Sequence, residues 1–123
     1  MSDKNKAILK MGNAAIAEGN YDFFLSLCTD DTEWTFVGDK TLKGKEAVRQ
    51  WMATTYLEPP KVTITNLIAE NEFLTALGIV TMKDKDGKEI NYTYCDVWRL
   101  HDGKFVELKA FVIKGGEKAP SIQ

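Results

Sequence analysis

The segment Asn91-Tyr-Thr-Tyr-Cys-Asp-Val-Trp-Arg-Leu100 gives the strongest structural signal in the chain. Large aromatic residues alternate with smaller ones, which predicts a β-strand, because successive side chains of a strand point to opposite faces of the sheet. One face then consists of Tyr92, Tyr94, Asp96 and Trp98. A carboxylate on an apolar face is costly to bury unless it has a partner or a function. Asp96 is therefore the first candidate for a functional residue.

The composition is that of an ordinary globular protein with one domain. The chain has 123 residues, of which 44% are hydrophobic and 28% charged, and its net charge is −2. This size suits a single core without a supporting disulfide or metal. The sequence shows no basic stripe for nucleic acid, no apolar run as long as a membrane span and no signal peptide. We therefore expect a cytoplasmic protein that binds neither nucleic acid nor membrane.

The cysteines and the single histidine argue against several kinds of site. Cys28 and Cys95 are far apart in apolar surroundings, so we expect reduced core cysteines. His101 precedes Asp102-Gly103 in a predicted tight turn and is expected to be exposed. Without a second histidine or a close cysteine pair, the sequence predicts no metal site, and no glycine-rich loop fits a nucleotide. We expect no cofactor.

Helices are predicted early in the chain and strands later. Asn20 suits a helix N-cap, Gly19 a helix end, and Pro59-Pro60 cannot continue a helix. The predicted helices span residues 4–18, 21–28 and 45–56, and the predicted strands span residues 32–37, 61–69, 73–82, 91–100 and 105–113. This order favours an α+β fold, with helices packed on one face of a curved antiparallel sheet. We expect one domain over residues 1–123, with a core at about 4–114 and a flexible polar tail at 115–123.

Two turn sequences set the predicted register of the last strands. Asp86-Gly87 suits a two-residue hairpin loop, which pairs Asp96 with Leu77. The segment His101–Gly103 suits a three-residue loop with glycine in the left-handed position, which pairs Asp96 with Leu108. Directly paired residues share a face of the sheet. The predicted inner wall is Thr75, Leu77, Ile79, Thr81, Tyr92, Tyr94, Asp96, Trp98, Val106, Leu108, Ala110 and Val112.

The opposite face follows from the same register. A two-residue loop at the second turn would instead direct Glu107 and Lys109 inward, and we reject it because it would bury two more charges. The predicted outer face is apolar and unlikely to be left to water, so we expect a twofold dimer through it. Its members are Ala76, Gly78, Val80, Thr93, Cys95, Val97, Phe105, Phe111 and Ile113.

Several segments in this order resemble the SnoaL-like proteins of the nuclear transport factor 2-like superfamily, which includes the ketosteroid isomerases. The resemblance covers about residues 5–114 and implies a cone-shaped α+β barrel, in which a bent sheet wraps around a long helix and a ligand cavity. It also implies a homodimer, since many members pair through the outer face of the sheet. The matching segments are Gly19–Tyr21, Leu27–Asp31, Leu42–Val48, Asp96–Leu100 and Asp102–Val106.

The resemblance implies a function only in outline, because this superfamily contains enzymes and non-enzymes. Asp96 falls where the ketosteroid isomerases carry the carboxylic acid of their oxyanion hole. Their general base would fall near Phe36 and their tyrosine donor near Gly12, so we do not expect ketosteroid isomerisation. The reactions that remain are isomerisation, cyclisation or dehydration of a small apolar or cyclic molecule, with Asp96 as acid/base or hydrogen-bond donor, aided by Tyr94 or Tyr92.

The candidate catalytic residues are thus Asp96 and Tyr94. Aromatic residues including Trp51 can line an apolar cavity for a flat molecule, although such residues are often simply core. The candidate ligand-binding residues are Trp34, Phe36, Tyr56, Leu77, Ile79, Thr81, Tyr92, Trp98, Leu108, Ala110 and Val112.

Asp96 itself has three interpretations: an acid/base or donor to a ligand, a structural carboxylate bonded to a Tyr hydroxyl or Trp N–H, or an exposed group in a different register. If it is buried without a cation, its pKa is expected to lie above the ordinary value. The alternative function is a non-catalytic ligand-binding protein or a dimeric interaction module. A filled cavity with Asp96 bonded to Tyr or Trp would favour an interaction module, and an open cavity beside Asp96 would favour an enzyme or a ligand-binding protein.

Overall fold

The computed structural model describes residues 2–115, which form three helices and the six strands of one sheet. Residues 116–123, most of the predicted tail, lie outside the described residues. The helices are α1 (Ser2–Ala17), α2 (Tyr21–Ser26) and α3 (Lys45–Thr55). The strands are β1 (Cys28–Phe36), β2 (Lys40–Lys43), β3 (Lys61–Glu70), β4 (Phe73–Lys83), β5 (Glu89–His101) and β6 (Lys104–Lys114).

The helix ends follow the signals in the sequence. Gly19 has φ +79°, a left-handed conformation that glycine adopts readily, and it ends α1. The side chain of Asn20 accepts a hydrogen bond from the backbone N–H of Phe23 at 3.2 Å, so the predicted N-cap of α2 is confirmed. None of the helices in the described part of the chain is long and apolar enough to cross a membrane.

The strands form one curved sheet in the order β2-β1-β6-β5-β4-β3. The α+β cone fold is confirmed, but the sheet is mixed, because β1 pairs with β6 in parallel while every other neighbouring pair is antiparallel. The edge strand β2 was not predicted. Its four residues, Lys-Thr-Leu-Lys, are too few and too polar to give an alternating apolar pattern.

The β4–β5 hairpin closes with a different loop from the one predicted. The backbone N–H of Gly87, at φ +81°, donates to the carbonyl of Asp84 at 2.9 Å, and the Asp84 carboxylate accepts from the N–H groups of Asp86 and Lys88. These bonds stabilise a three-residue loop instead of a two-residue loop. The register therefore shifts by one residue, and Asp96 pairs with Ala76 and not with Leu77.

The β5–β6 hairpin differs in the opposite sense. Asp102 and Gly103 both have positive φ, 51° and 78°, and form a two-residue turn closed by His101 and Lys104. The predicted three-residue loop is therefore wrong. A bulge between Arg99 and Leu100 then shifts the register once more, so that Asp96 pairs with Ala110.

This bulge keeps the charged residues of β6 off the inner face. Trp98 pairs with Leu108, and not with Val106 as predicted, while Glu107 pairs with Arg99 and bonds to it at 3.3 Å. Phe105, which we expected on the outer face, is 0% exposed and belongs to the core. A two-residue turn is thus compatible with an apolar inner wall, provided that a bulge follows it.

The new register exchanges the two faces of β4. Leu74, Ala76, Gly78 and Val80 pair with the inward-facing residues of β5, so the expectation that Ala76, Gly78 and Val80 point outward is wrong. Thr75, Leu77, Ile79 and Thr81 consequently lie on the outer face. The helices pack against the inner face, and the largest fully buried core side chains are those of Leu9, Leu25, Val48, Met52, Leu74, Leu100 and Phe105.

Candidate functional site

A cavity of about 390 Å³ lies between the helices and the inner face of the sheet. This volume is within the range of pockets that hold small molecules. The helices supply Leu9, Asn13, Ile16, Trp51 and Met52, and the strands supply most of the remaining lining residues. The strand residues lie in rows that cross the sheet, since directly paired residues share a face.

The buried end of the cavity is lined by three large side chains of one row, Trp34, Leu108 and Trp98; Leu74 continues this row on β4 and is also buried. The rings of Trp34 and Trp98 meet edge to face, with centroids 5.5 Å apart and an interplanar angle of 85°. Trp51 and Phe36 pack against each other with centroids 4.9 Å apart. The indole N–H of Trp34 is buried and has no acceptor among the described residues.

The next row contains Asp96 between two small residues, which we call the aspartate row: Phe36, Ala110, Asp96 and Ala76. Ala110 and Ala76 are 3% and 2% exposed, so their methyl groups belong to the cavity wall. Because alanine is short, both neighbouring strands leave free space beside the carboxyl group. The cavity therefore reaches Asp96 directly.

The Asp96 carboxyl group makes no hydrogen bond or ion pair with any residue in the described range. The side chain is half-buried, with protein around it and the cavity on its remaining side. Desolvation raises the pKa of this carboxyl from 3.8 to about 7. The result agrees with the expected direction, and it makes Asp96 a group that both holds and releases a proton near neutral pH.

Two tyrosine hydroxyls belong to the same space. Burial raises the pKa of Tyr94 and of Tyr56, and the negative charge of Asp96 raises both further. Both phenols therefore stay neutral and can donate a hydrogen bond. Tyr94 is buried on the inner face between Gly78 and Val112, one row further toward the cavity mouth than Asp96.

A row near the entrance of the cavity, which we call the mouth row, is Lys114, Tyr92, Val80 and Val62. Side chains become more exposed along the cavity from the tryptophan end to this row, and Lys114 is exposed. Asp39, in the turn between β1 and β2, also borders the cavity. A small molecule would thus enter beside Lys114 and Tyr92 and meet Asp96 before it reached the tryptophans.

Most of the predicted site residues line this cavity: Trp34, Phe36, Tyr56, Tyr92, Tyr94, Asp96, Trp98, Leu108, Ala110 and Val112. Leu77, Ile79 and Thr81 do not, because the three-residue loop places them on the outer face. There the Thr81 hydroxyl bonds to the side-chain oxygen of Asn91 at 2.7 Å.

Several residues that line the cavity were not predicted from the sequence. Ala76 and Val80 were assigned to the wrong face with the register. The helix residues Leu9, Asn13 and Ile16 gave no signal, because a periodic apolar pattern does not say which turn of a helix borders empty space. Lys114 could have been found, since it continues the alternation of Leu108, Ala110 and Val112. The others were Phe24, Val37, Asp39, Met52, Pro60, Val62 and Met82.

The residues from 2 to 115 contain no cluster of three His, Cys, Asp or Glu side chains that could hold a metal ion. The cavity lining supplies two carboxyl groups, one ammonium group, three phenols and one amide in an otherwise apolar, aromatic enclosure: Asp96, Asp39, Lys114, Tyr56, Tyr92, Tyr94 and Asn13.

Comparisons with solved structures identify the same architecture. SalBIII, an epoxide hydrolase/cyclase-like enzyme with a role in pyran ring formation in polyether salinomycin, aligns with a TM-score of 0.81 and 19% identity over 89% of this chain and 91% of that chain. An NTF2-like protein of unknown function from Burkholderia pseudomallei K96243 aligns with a TM-score of 0.78 and 19% identity over 89% and 90%. TerC, co-crystallized with polyporic acid, aligns with a TM-score of 0.76 and 15% identity over 88% and 90%.

At these identities the structures establish the fold and leave the reaction open. No curated protein sequence matches the chain significantly. The sequence profile of the SnoaL-like domain matches residues 11–108, which is most of the chain and includes the Asp96 strand and every residue of the aspartate row except Ala110. The chain therefore belongs to the SnoaL-like domain family, and its fold is that of the NTF2-like proteins.

Proposed function

We propose that this protein binds a small apolar or cyclic molecule in the cavity and that Asp96 transfers a proton to or from it without a cofactor. The reaction would be an isomerisation, a cyclisation or a dehydration. The observation that carries this proposal is the position of Asp96, a carboxyl group without a protein partner in the described residues, beside open space between Ala76 and Ala110.

The electrostatics of the site support proton transfer. General acid–base catalysis is most efficient when the pKa of the catalytic group is close to the working pH, and burial raises that of Asp96 to about 7. In the base form, the carboxylate would take a proton from a carbon next to a carbonyl group. The neutral Tyr94 hydroxyl would donate to the enolate oxygen that forms, and protonated Asp96 would return the proton to another carbon or to a leaving hydroxyl group.

An interaction module without a ligand is the weaker alternative. It predicts a cavity filled by side chains and an Asp96 carboxyl bonded to a tyrosine or tryptophan. The open volume of about 390 Å³ and the unbonded carboxyl support a ligand-binding protein or enzyme instead. The names of two proteins of the same fold, SalBIII and the TerC complex with polyporic acid, also lend support to small-molecule chemistry.

The experiment measures exchange of carbon-bound protons, because this readout does not require the natural substrate. 2-Tetralone is incubated with the protein in D₂O at neutral pH, and loss of its α-CH signals is followed by proton NMR. We expect the wild type to accelerate exchange above the buffer rate and Asp96→Asn to return it to that rate. Asp86→Asn, the same change in an exposed turn, should exchange like the wild type.

Wild-type exchange at the buffer rate, with 2-tetralone bound, would favour the binding-only alternative. Exchange that persists in Asp96→Asn would remove Asp96 from the mechanism.

We also propose a twofold dimer through the outer face of the sheet. On that face, Phe111 and Ile113 of β6 are 44% and 66% exposed, beside Cys95 and Thr93 of β5. Exposed apolar groups of this size on a sheet face are typical of a protein interface. Both cysteines are free, and Cys28 is buried, which is in keeping with a reducing compartment such as the cytoplasm.

A further inference from the structure

We propose that the substrate carries an anionic group at the end remote from its reacting carbon, and that Lys114 binds this group at the mouth of the cavity. The anion would be a carboxylate or an ionised enol or phenol. This inference rests on the proposed function, since it assumes that the reacting carbon lies at Asp96.

The position of Lys114 is unusual for a lysine. Along β6 the residues on the inner face are Leu108, Ala110 and Val112, and Lys114 continues this series. Lys114 is the last residue of β6 and still belongs to this face. It lies directly opposite Tyr92 and borders the cavity.

The Lys114 ammonium group is available to a ligand. Among the described residues it forms no salt bridge, as is true of most of the described lysines; only Lys45, Lys61 and Lys83 have a carboxylate within 3.5 Å. It is also the one cationic side chain among the described residues that line the cavity. An ammonium group at the entrance of an otherwise apolar pocket attracts a ligand of opposite charge and orients it.

Tyr92 strengthens this arrangement. Side chains of directly paired residues start about 5 Å apart, so the Tyr92 hydroxyl and the Lys114 ammonium can reach the same ligand atom from neighbouring strands. Both groups can donate a hydrogen bond to an anion. On the other side of Tyr92, Val80 and Val62 continue the row and offer an apolar surface to a ring.

The spacing along β6 limits the size of the ligand. Ala110 is the direct partner of Asp96, and Lys114 follows it by four residues on the same strand, which corresponds to about 13 Å between Cα atoms. Because both side chains project into the cavity, a ligand that reaches both is on the order of 10 Å long. Compounds with two or three fused rings have this length and fit a cavity of about 390 Å³.

The negative charge of the Asp39 carboxylate opposes the binding of an anionic ligand. It also borders the cavity, is exposed, and forms no salt bridge with Lys114. It belongs to the β1–β2 turn and not to the rows of the inner face. Asp39 thus provides an internal test, because its removal and the removal of Lys114 should change anion binding in opposite directions.

The experiment compares a charged and an uncharged probe of the same ring system, 6-oxo-5,6,7,8-tetrahydronaphthalene-2-carboxylate and its methyl ester. Both carry a ketone at the end opposite the acid or ester group. Dissociation constants are measured by NMR titration for the wild type, Lys114→Met, Asp39→Asn and the control Lys85→Met, which changes a lysine in an exposed turn.

We expect Lys114→Met to weaken binding of the carboxylate by about threefold to fivefold, the size of a partly exposed ion pair, and to leave the ester unchanged. Asp39→Asn should tighten the carboxylate by a smaller factor, and Lys85→Met should affect neither probe. The preference of the wild type for the carboxylate should also decrease with added salt. Equal effects of Lys114→Met on both probes, or no effect on either, would overturn the inference.

The same two probes, with Asp96→Asn added to the set of variants, separate this inference from the proposed function. In one outcome, the wild type exchanges the α-protons of the ester, Asp96→Asn does not, and Lys114→Met changes the dissociation constants of both probes equally. The anion site is then wrong and the proposed function stands. If Lys114 governs carboxylate binding but the wild type exchanges neither probe, the anion site stands and the proposed reaction is wrong.

Discussion

Tyr94 on β5 stands directly opposite Gly78 on β4, and its hydroxyl oxygen would lie 2.9 Å from a Cβ atom placed on that glycine. Gly78 has no positive φ, so its role here is spatial and not conformational. A Cβ atom would also collide with the backbone carbonyl oxygen of Thr63 on β3. The absence of a side chain at position 78 therefore lets β3 approach closely and leaves room for the Tyr94 phenol beside the cavity.

The first prediction concerns this contact. Gly78→Ala should lower the free energy of unfolding by about 1–3 kcal/mol, as expected for overpacking between elements that cannot separate freely. Urea denaturation measures the change. Tyr94→Phe removes the hydroxyl oxygen, so in the Gly78→Ala background it should recover part of the loss, leaving the part caused by Thr63. A Gly78→Ala protein as stable as the wild type would show that the contact is not restrictive.

The fold could be predicted because its signals are local. Gly19, Asn20 and Pro59 mark helix ends by their own backbone chemistry, and strand alternation identified Tyr94, Asp96 and Trp98 as one face. The register could not be predicted from the two Asp-Gly turns. The Asp84 side chain, by accepting two backbone N–H groups, lengthens the first loop, and a bulge at Arg99 compensates for the short second loop.

These two errors had unequal effects on the site. On β6, the wrong loop length and the unpredicted bulge compensated for each other. Leu108 and Ala110 therefore face inward, as predicted. On β4, a shift of one residue exchanged Leu77 for Ala76 beside Asp96. Asp96 and its aromatic neighbours could thus be identified in advance, whereas the small residues that open the cavity beside the carboxyl depended on a loop that local sequence did not specify.

The second prediction concerns stability against pH. The unfolded chain ionises Asp96 above pH 3.8, whereas the folded chain keeps the proton until about pH 7. The free energy of unfolding therefore falls across this window and the loss levels off above it. Asp96→Asn removes the effect, so the variant should be close to the wild type at pH 4 and more stable at pH 8, by up to about 4 kcal/mol.

Urea denaturation of both proteins between pH 4 and 8 tests this dependence. Asp86→Asn, in an exposed turn, should differ from the wild type by no more than about 0.5 kcal/mol throughout. A stability difference between Asp96→Asn and the wild type that does not change with pH would argue against a desolvated carboxyl group.

The third prediction concerns the space beside Asp96. Ala110→Leu would extend a side chain from the aspartate row into the cavity, and we expect it to weaken binding of 2-tetralone at least tenfold. Because the added atoms enter open space, the fold should be retained. Ala53→Leu, the same change on an exposed position of α3, is the matched control. Unchanged affinity in Ala110→Leu would place the ligand elsewhere.

The fourth prediction concerns the dimer. Light scattering at micromolar concentration should give twice the 13.8 kDa mass of the chain. Ile113→Lys should give monomers, because it places a charge in the apolar centre of the proposed interface. Leu57→Lys, which changes a similarly exposed residue before β3, should remain dimeric. A monomeric wild type would contradict the proposed interface.

The central claim is that the Asp96 carboxyl group, desolvated beside the cavity, exchanges its proton near neutral pH. The most direct measurement is an NMR titration of the Asp96 carboxyl carbon in ¹³C-labelled protein. We predict a midpoint near pH 7, well above the ordinary value of 3.8. A midpoint at or below 3.8 would mean that the folded protein stabilises the carboxylate, and it would contradict the role of Asp96 as an acid/base at neutral pH.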